Sequence, residues 1–131
     1  MTTPHPTEGE LAILHVLWDQ AEPCTVRQVH EALSRHKDTA YTTVLKMLTI
    51  MAEKGLVTRD ERERSHRYAA AQARPHVQQA MVHDLMRRAF AGSALELVQR
   101  ALHVERASDE DLDAMEALIA AARVRRNSSA T

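Results

Sequence analysis

Residues 39–55, TAYTTVLKMLTIMAEKG, limit the fold more than any other stretch, because they read as a helix with two unlike faces and a defined stop. At about 100° per residue, Tyr41, Val44, Leu45, Leu48, Met51 and Ala52 share one broad arc, and Thr42, Lys46, Thr49 and Glu53 lie opposite. The apolar arc is built for burial. The polar arc carries short hydroxyls and a cation near the N-terminal end, where a recognition helix meets base edges and phosphates. Asp38 or Thr39 is placed to cap the start, and Gly55 to supply a left-handed residue after the last turn. An ordinary amphipathic helix with a solvated face has the same pattern, so the flanking sequence has to decide.

Upstream, Thr7 and Glu10 have capping-box spacing at the head of TEGELAILHVLWDQ, where Leu11, Ile13, Leu14, Leu17 and Trp18 form an apolar stripe with Trp18 as a core anchor. Residues 21–23, AEP, break that helix. Thr25 caps the next, residues 26–34, with Val26, Val29, Ala32 and Leu33 as its apolar side. Three short helices with tight connections, the last polar outward, form a helix-turn-helix pattern. After Gly55 the period turns extended: residues 56–58 and 65–69 read as two strands around a charged tip at 59–64. A hairpin directly behind a recognition helix is the wing of a winged helix. Arg62, Arg64, His66 and Arg67 are its candidate phosphate contacts, whereas Asp60, Glu61 and Glu63 read as solvated tip residues.

From Gln72 the helical period returns in three segments, broken at residues 91–93 and capped for the last time by Ser108. Their apolar residues exceed what a small winged helix can cover. A second copy is the expected cover, with Val77, Met81, Leu85, Leu95, Val98, Leu102, Leu112, Met115 and Leu118 at the interface. The expected organisation is a flexible tail at 1–6, a winged-helix DNA-binding domain at 7–71, a helical dimerisation domain at 72–122 and a second tail at 123–131.

Composition agrees with a mainly α protein bearing a small β-wing, since 44% of residues are apolar but only 3% aromatic, with three glycines. One cysteine, Cys24, rules out an internal disulfide, and no apolar run has the length of a signal peptide or membrane span, so a soluble cytoplasmic protein is expected. The net charge of −1 carries no nucleic-acid signature, but residues 35–67 hold eight Lys/Arg against five acids, a local surplus of three. His76 and His83, seven apart, lack a carboxylate or thiol to complete a metal site, so no metal or cofactor is expected. Cys24 before a helix start invites a redox-sensor hypothesis, set against a small half-buried turn residue. No phosphate loop, GxSxG or HExxH is present, which argues against an enzyme.

Taken in order, ELAILHVLW, TVRQVHEAL, AYTTVLKMLTIMAEKGLV, SHRY and SDEDLDAMEALI make the chain resemble the penicillinase-repressor (BlaI/MecI/CopY) family of bacterial transcriptional regulators, from about Glu8 to Ile119. The resemblance implies a homodimer whose winged helices bind an inverted repeat of double-stranded operator DNA, before genes such as those for β-lactamases, penicillin-binding proteins, copper exporters or the repressor's own operon. It implies Thr42, Thr43 and Lys46 in the major groove and His66 and Arg67 on the wing. Thr25, Arg27 and Tyr41 are further candidate backbone contacts. Antibiotic-responsive members answer a membrane metalloprotease sensor by repressor cleavage, an indirect partner that needs no membrane insertion of the repressor. The corresponding segment here, residues 92–97, GSALEL, lacks the Asn-Phe pair of the best-known cleaved members. The Cys-rich motif of the copper-sensing branch is absent too. The competing class is a winged helix used only for protein contacts, for which Lys46 and the wing arginines would be dispensable.

Overall fold

The computed structural model describes residues 5–129. Residues 1–4 and 130–131, parts of the two expected tails, lie outside the described residues. The chain forms α1 (Glu8–Asp19), β1 (Cys24–Thr25), α2 (Val26–Ser34), α3 (Tyr41–Lys54), β2 (Val57–Asp60), β3 (Arg67–Ala70), α4 (Arg74–Ala89), α5 (Ala94–Val104) and α6 (Asp109–Ser129). It is mainly α with a small antiparallel sheet, in the order β1-β3-β2. Among the described residues no helix is long and apolar enough to cross a membrane.

Local chemistry sets most boundaries. Thr7 and Glu10 form the expected capping box on α1, and Thr25 with Gln28 forms another on α2, each satisfying orphan amides at a helix start. Gly55 ends α3 with φ 81°, where a Cβ would be strained. The start of α3 departs from expectation: its N-cap is Ala40, with no side-chain cap. Thr39 is occupied elsewhere. Its hydroxyl donates to the Lys37 carbonyl at 3.3 Å, and its own carbonyl accepts from His30 Nε2 at 2.7 Å.

Val44, Leu48 and Met51 of α3 are completely buried, against Ile13, Leu14 and Leu17 of α1, Val29 of α2, and Tyr68 of β3. The buried arc is narrower than the sequence suggests. Tyr41 and Leu45 lie at its edge and are 46% and 42% exposed, because the core centres on the Val44–Leu48–Met51 line and they turn toward the wing. Trp18 sits at the core's margin. Its Nε1 donates to the Gln72 carbonyl at 2.9 Å, and the Arg74 guanidinium lies 5.5 Å over its ring while pairing with Asp19 at 2.8 Å.

Those contacts tie the start of α4 to α1. The chain accordingly divides into a unit ending at Asp84 and another from Leu85, inside α4 and beyond the residue-71 boundary read from the sequence. Val77 is 3% exposed within one chain, which removes it from the expected dimer surface. Beyond it, α5 and α6 bury no side chain. Ser93 caps α5 and Ser108 caps α6 through their hydroxyls. The last helix runs to Ser129 rather than fraying at 123, since AAARVRRNSS has no proline or glycine and places arginines near the C-terminal end of the helix dipole.

One contact has no local sequence signal. Glu10, nearly buried, accepts from Lys54 Nζ at 2.7 Å and from the Thr7 amide at 2.9 Å, joining the first turn of α1 to the last turn of α3. Burial pushes its carboxyl up, but the hydrogen bonds from Lys54 and Thr7 outweigh that and hold it below its ordinary value of 4.5. A depressed carboxyl contributes stability that is present above the unfolded value and lost as pH falls through the folded one. Glu10→Gln should therefore cost about 1–2 kcal/mol at pH 7 in urea unfolding. Its stability should also fall less than the wild type's between about pH 5 and pH 3, because the mutant has no proton to gain there.

Candidate nucleic-acid interface

The polar side of α3 faces outward with Thr42 and Lys46 both exposed at its centre. Thr43, 100° further round, turns to the α1 flank and lines a groove of about 960 Å³ with Gly9, Ala12, Lys37 and Met47. The structure thus separates Thr43 from the other two groove candidates. Thr49 spends its hydroxyl on the Leu45 carbonyl at 2.9 Å. Tyr41 meets His30 edge-on at 5.7 Å, and His30 in turn holds the residue-39 carbonyl, so the entry to α3 is braced by α2.

Beside α3 lies a cleft of about 470 Å³. Thr25, Val26 and Arg27 from the start of α2 form one wall, Tyr41 and Leu45 a second, and Arg64, Ser65 and His66 from the wing the third, with buried Tyr68 lining it. Five sequence candidates, Thr25, Arg27, Tyr41, Arg64 and His66, come together here. Leu45 and Ser65 were missed. Leu45 reads as core by periodicity alone, and only its place at the arc's edge separates it. β1 is what closes this wall: Cys24 and Thr25 pair with Tyr68 and Arg67, so the start of α2 is stitched to the wing. A two-residue strand leaves no periodic trace.

The wing's strands lie slightly later than read, with residues 61–66 connecting them and Asp60 opposite Arg67 in the ladder. Its acids are not merely solvated. Asp60 takes both its oxygens to Arg62, at 2.7 to 3.1 Å, and accepts the Arg62 amide at 3.0 Å; Glu61 pairs with Arg59 at 2.7 Å, and Glu63 with Arg67 at 3.8 Å. Hydrogen bonds from the Arg62 guanidinium, then from its amide, hold the Asp60 carboxyl at about 2. The same pair raises the Arg62 guanidinium further above its ordinary range. Two expected phosphate contacts, Arg62 and Arg67, are therefore engaged within the wing, while Arg64 and His66 face the cleft.

A helix-turn-helix with an outward polar third helix and a basic cleft closed by a β-hairpin defines a winged helix-turn-helix fold. The chain belongs to the penicillinase repressor family, whose sequence model matches residues 6–121. It is 39% identical over 113 residues to the transcriptional regulator BlaI of two Mycobacterium tuberculosis strains, covering 85% of this chain and 80% of the relative. Among solved structures, the Bacillus licheniformis BlaI monomeric form in complex with the blaP half-operator is 20% identical with a TM-score of 0.48, covering 56% of this chain and 88% of that one. A mutant of Lactococcus lactis ZitR is 18% identical with a TM-score of 0.46, covering 95% and 78%. The family is one of regulators, not enzymes.

Cys24 stands apart from the cleft's chemistry. It is 4% exposed, its Sγ donates to the Glu22 carbonyl at 3.6 Å, and burial pushes its thiol up against a smaller opposing pull from Arg67. A thiol in that setting resists forming the reactive thiolate, which favours a packing role over the redox-sensor hypothesis. Among the described residues no group of three His, Cys, Asp or Glu could hold a metal ion. Ellman's reagent should label Cys24 in native buffer at least ~100-fold more slowly than in urea, because access requires opening of the core. Equal rates would place the thiol at the surface.

Proposed function

We propose that the chain is a sequence-specific DNA-binding repressor that acts as a homodimer on an inverted-repeat operator. The observation that carries this reading is the outward face of α3 set beside a cleft holding Arg27, Arg64 and His66. Thr42 and Lys46 enter the major groove, with Thr43 at the α1 edge of the same helix. Thr25, Arg27, Tyr41, Arg64 and His66 follow the flanking phosphates, which fix register while α3 reads sequence. Membership of the penicillinase repressor family and the description of its M. tuberculosis relatives as transcriptional regulators support the role. Its own upstream DNA and the promoters of β-lactamase, cell-wall or stress genes are the operators to try first.

Dimerisation is supported by the second unit, where Leu85, Leu95, Val98, Leu102, Leu112 and Leu118 are between 39% and 70% exposed in one chain. Helices that leave such side chains in water need a covering surface, and a symmetric copy supplies the same stripe to itself. Met115 of the same unit, half-buried, belongs to that set.

Fluorescence anisotropy on the DNA upstream of its own gene, against a scrambled duplex at two salt concentrations, tests the DNA reading. Lys46→Ala should weaken both complexes and flatten the slope of log affinity against log salt by about 0.9. Thr42→Val should alter the preference between duplexes instead. Weak, equal binding untouched by Lys46→Ala would favour a protein-contact module. For the dimer, sedimentation equilibrium should give twice the chain mass for the wild type and one chain mass for Leu95→Glu/Leu118→Glu. A monomeric wild type at micromolar concentration would count against it.

A further inference from the structure

From Arg59 to Arg67 the chain reads RDERERSHR, and the fold gives each acid an arginine. The Asp60–Arg62 pair is a fork in which Nε and Nη2 reach the two carboxylate oxygens, the same planar arrangement in which arginine grips a phosphate. Arg64 differs from its neighbours. Among the described residues no acid pairs with it, and it lines the cleft.

Resting on the DNA-binding reading above, we propose that Asp60, Glu61 and Glu63 act as surrogate phosphates: they occupy Arg59, Arg62 and Arg67 in the free protein and thereby suppress sequence-independent adhesion of the wing to DNA. Non-specific binding draws nearly all its strength from cations meeting phosphates. An arginine already neutralised by a carboxylate adds no net charge to that encounter. To engage DNA it must exchange one anion for another, and the released carboxylate then sits within a Debye length, about 8–10 Å, of the phosphates and repels them. Only a complex that α3 has already aligned holds the wing near the backbone long enough for the exchange. Hydrogen bonds from Arg62 hold Asp60 at about 2, so this carboxylate is ionised at neutral pH.

Asp60→Asn separates charge from shape, because its side-chain carbonyl still accepts the Arg62 amide. Wild type, Asp60→Asn, Arg62→Ala and the double variant form a cycle, read by anisotropy on the scrambled and upstream duplexes across a salt series, with thermal melts confirming that each is folded. Asp60→Asn should tighten binding to the scrambled duplex roughly fivefold at ~0.15 M salt and steepen its salt slope by about 0.9. Arg62→Ala should change wild-type binding to the scrambled duplex less than about twofold, yet abolish the gain on that duplex in the Asp60→Asn background. An Arg62→Ala loss of equal size in both backgrounds, or no effect of Asp60→Asn on either duplex, would overturn the proposal while leaving the DNA-binding reading intact. A wild type that binds neither duplex at low salt overturns that reading, and this proposal with it.

Discussion

The burial of one line of side chains, Val44, Leu48 and Met51, decides what every other surface of the first unit presents. Fully burying an aliphatic side chain of this size is worth about 1.5–3 kcal/mol. Turning α3 by a single residue would expose part of that line and drive polar groups such as Lys46 toward the core, where an unpaired cation is heavily penalised. The outward placement of Thr42 and Lys46 is thus set by what lies on the opposite side of the helix. Two polar contacts pin its ends. His30 holds the turn before the first residue, and the ion pair between Glu10 and Lys54 holds the last turn. The outward face of α3 is thus oriented by contacts on its other sides and at its ends.

The parts legible in the sequence are those governed by neighbours within one turn. The Thr7 and Thr25 capping boxes, the stop at Gly55, the break at 91–93 and the cap at Ser108 all follow from residue types three or four positions apart. What escaped notice depends on partners distant in the chain. β1 exists only because β3 lies beside it, and Glu10 meets a lysine 44 residues away. The cleft was half legible: its cations were identifiable as charges and Tyr41 as a contact, but Leu45 resembled core because a helical wheel cannot show where the core's edge falls. In the wing, composition supplied the arginines and acids, while their pairing required the hairpin to bring them into reach.

Charge is consequently organised in two ways on a protein that is nearly neutral overall. Arg27, Lys46 and Arg64 stand on rigid elements or face an open cleft, whereas Arg59, Arg62 and Arg67 are held by acids of the wing. Near-neutrality limits long-range attraction to any polyanion, leaving short-range geometry to determine where contact is made. Steering and recognition are thereby separated, and the second carries more of the burden.

The unburied helices α5 and α6 have a consequence for dosage. A segment whose side chains are at most half-buried by its own chain takes much of its folding free energy from whatever covers it, so its stability follows mass action. If a second copy is that cover, occupancy of a two-fold site rises with more than the first power of protein concentration, and a modest dilution, as at cell growth or division, lowers both the assembled fraction and the integrity of the assembling part. Abundance then becomes an input to the regulator in its own right.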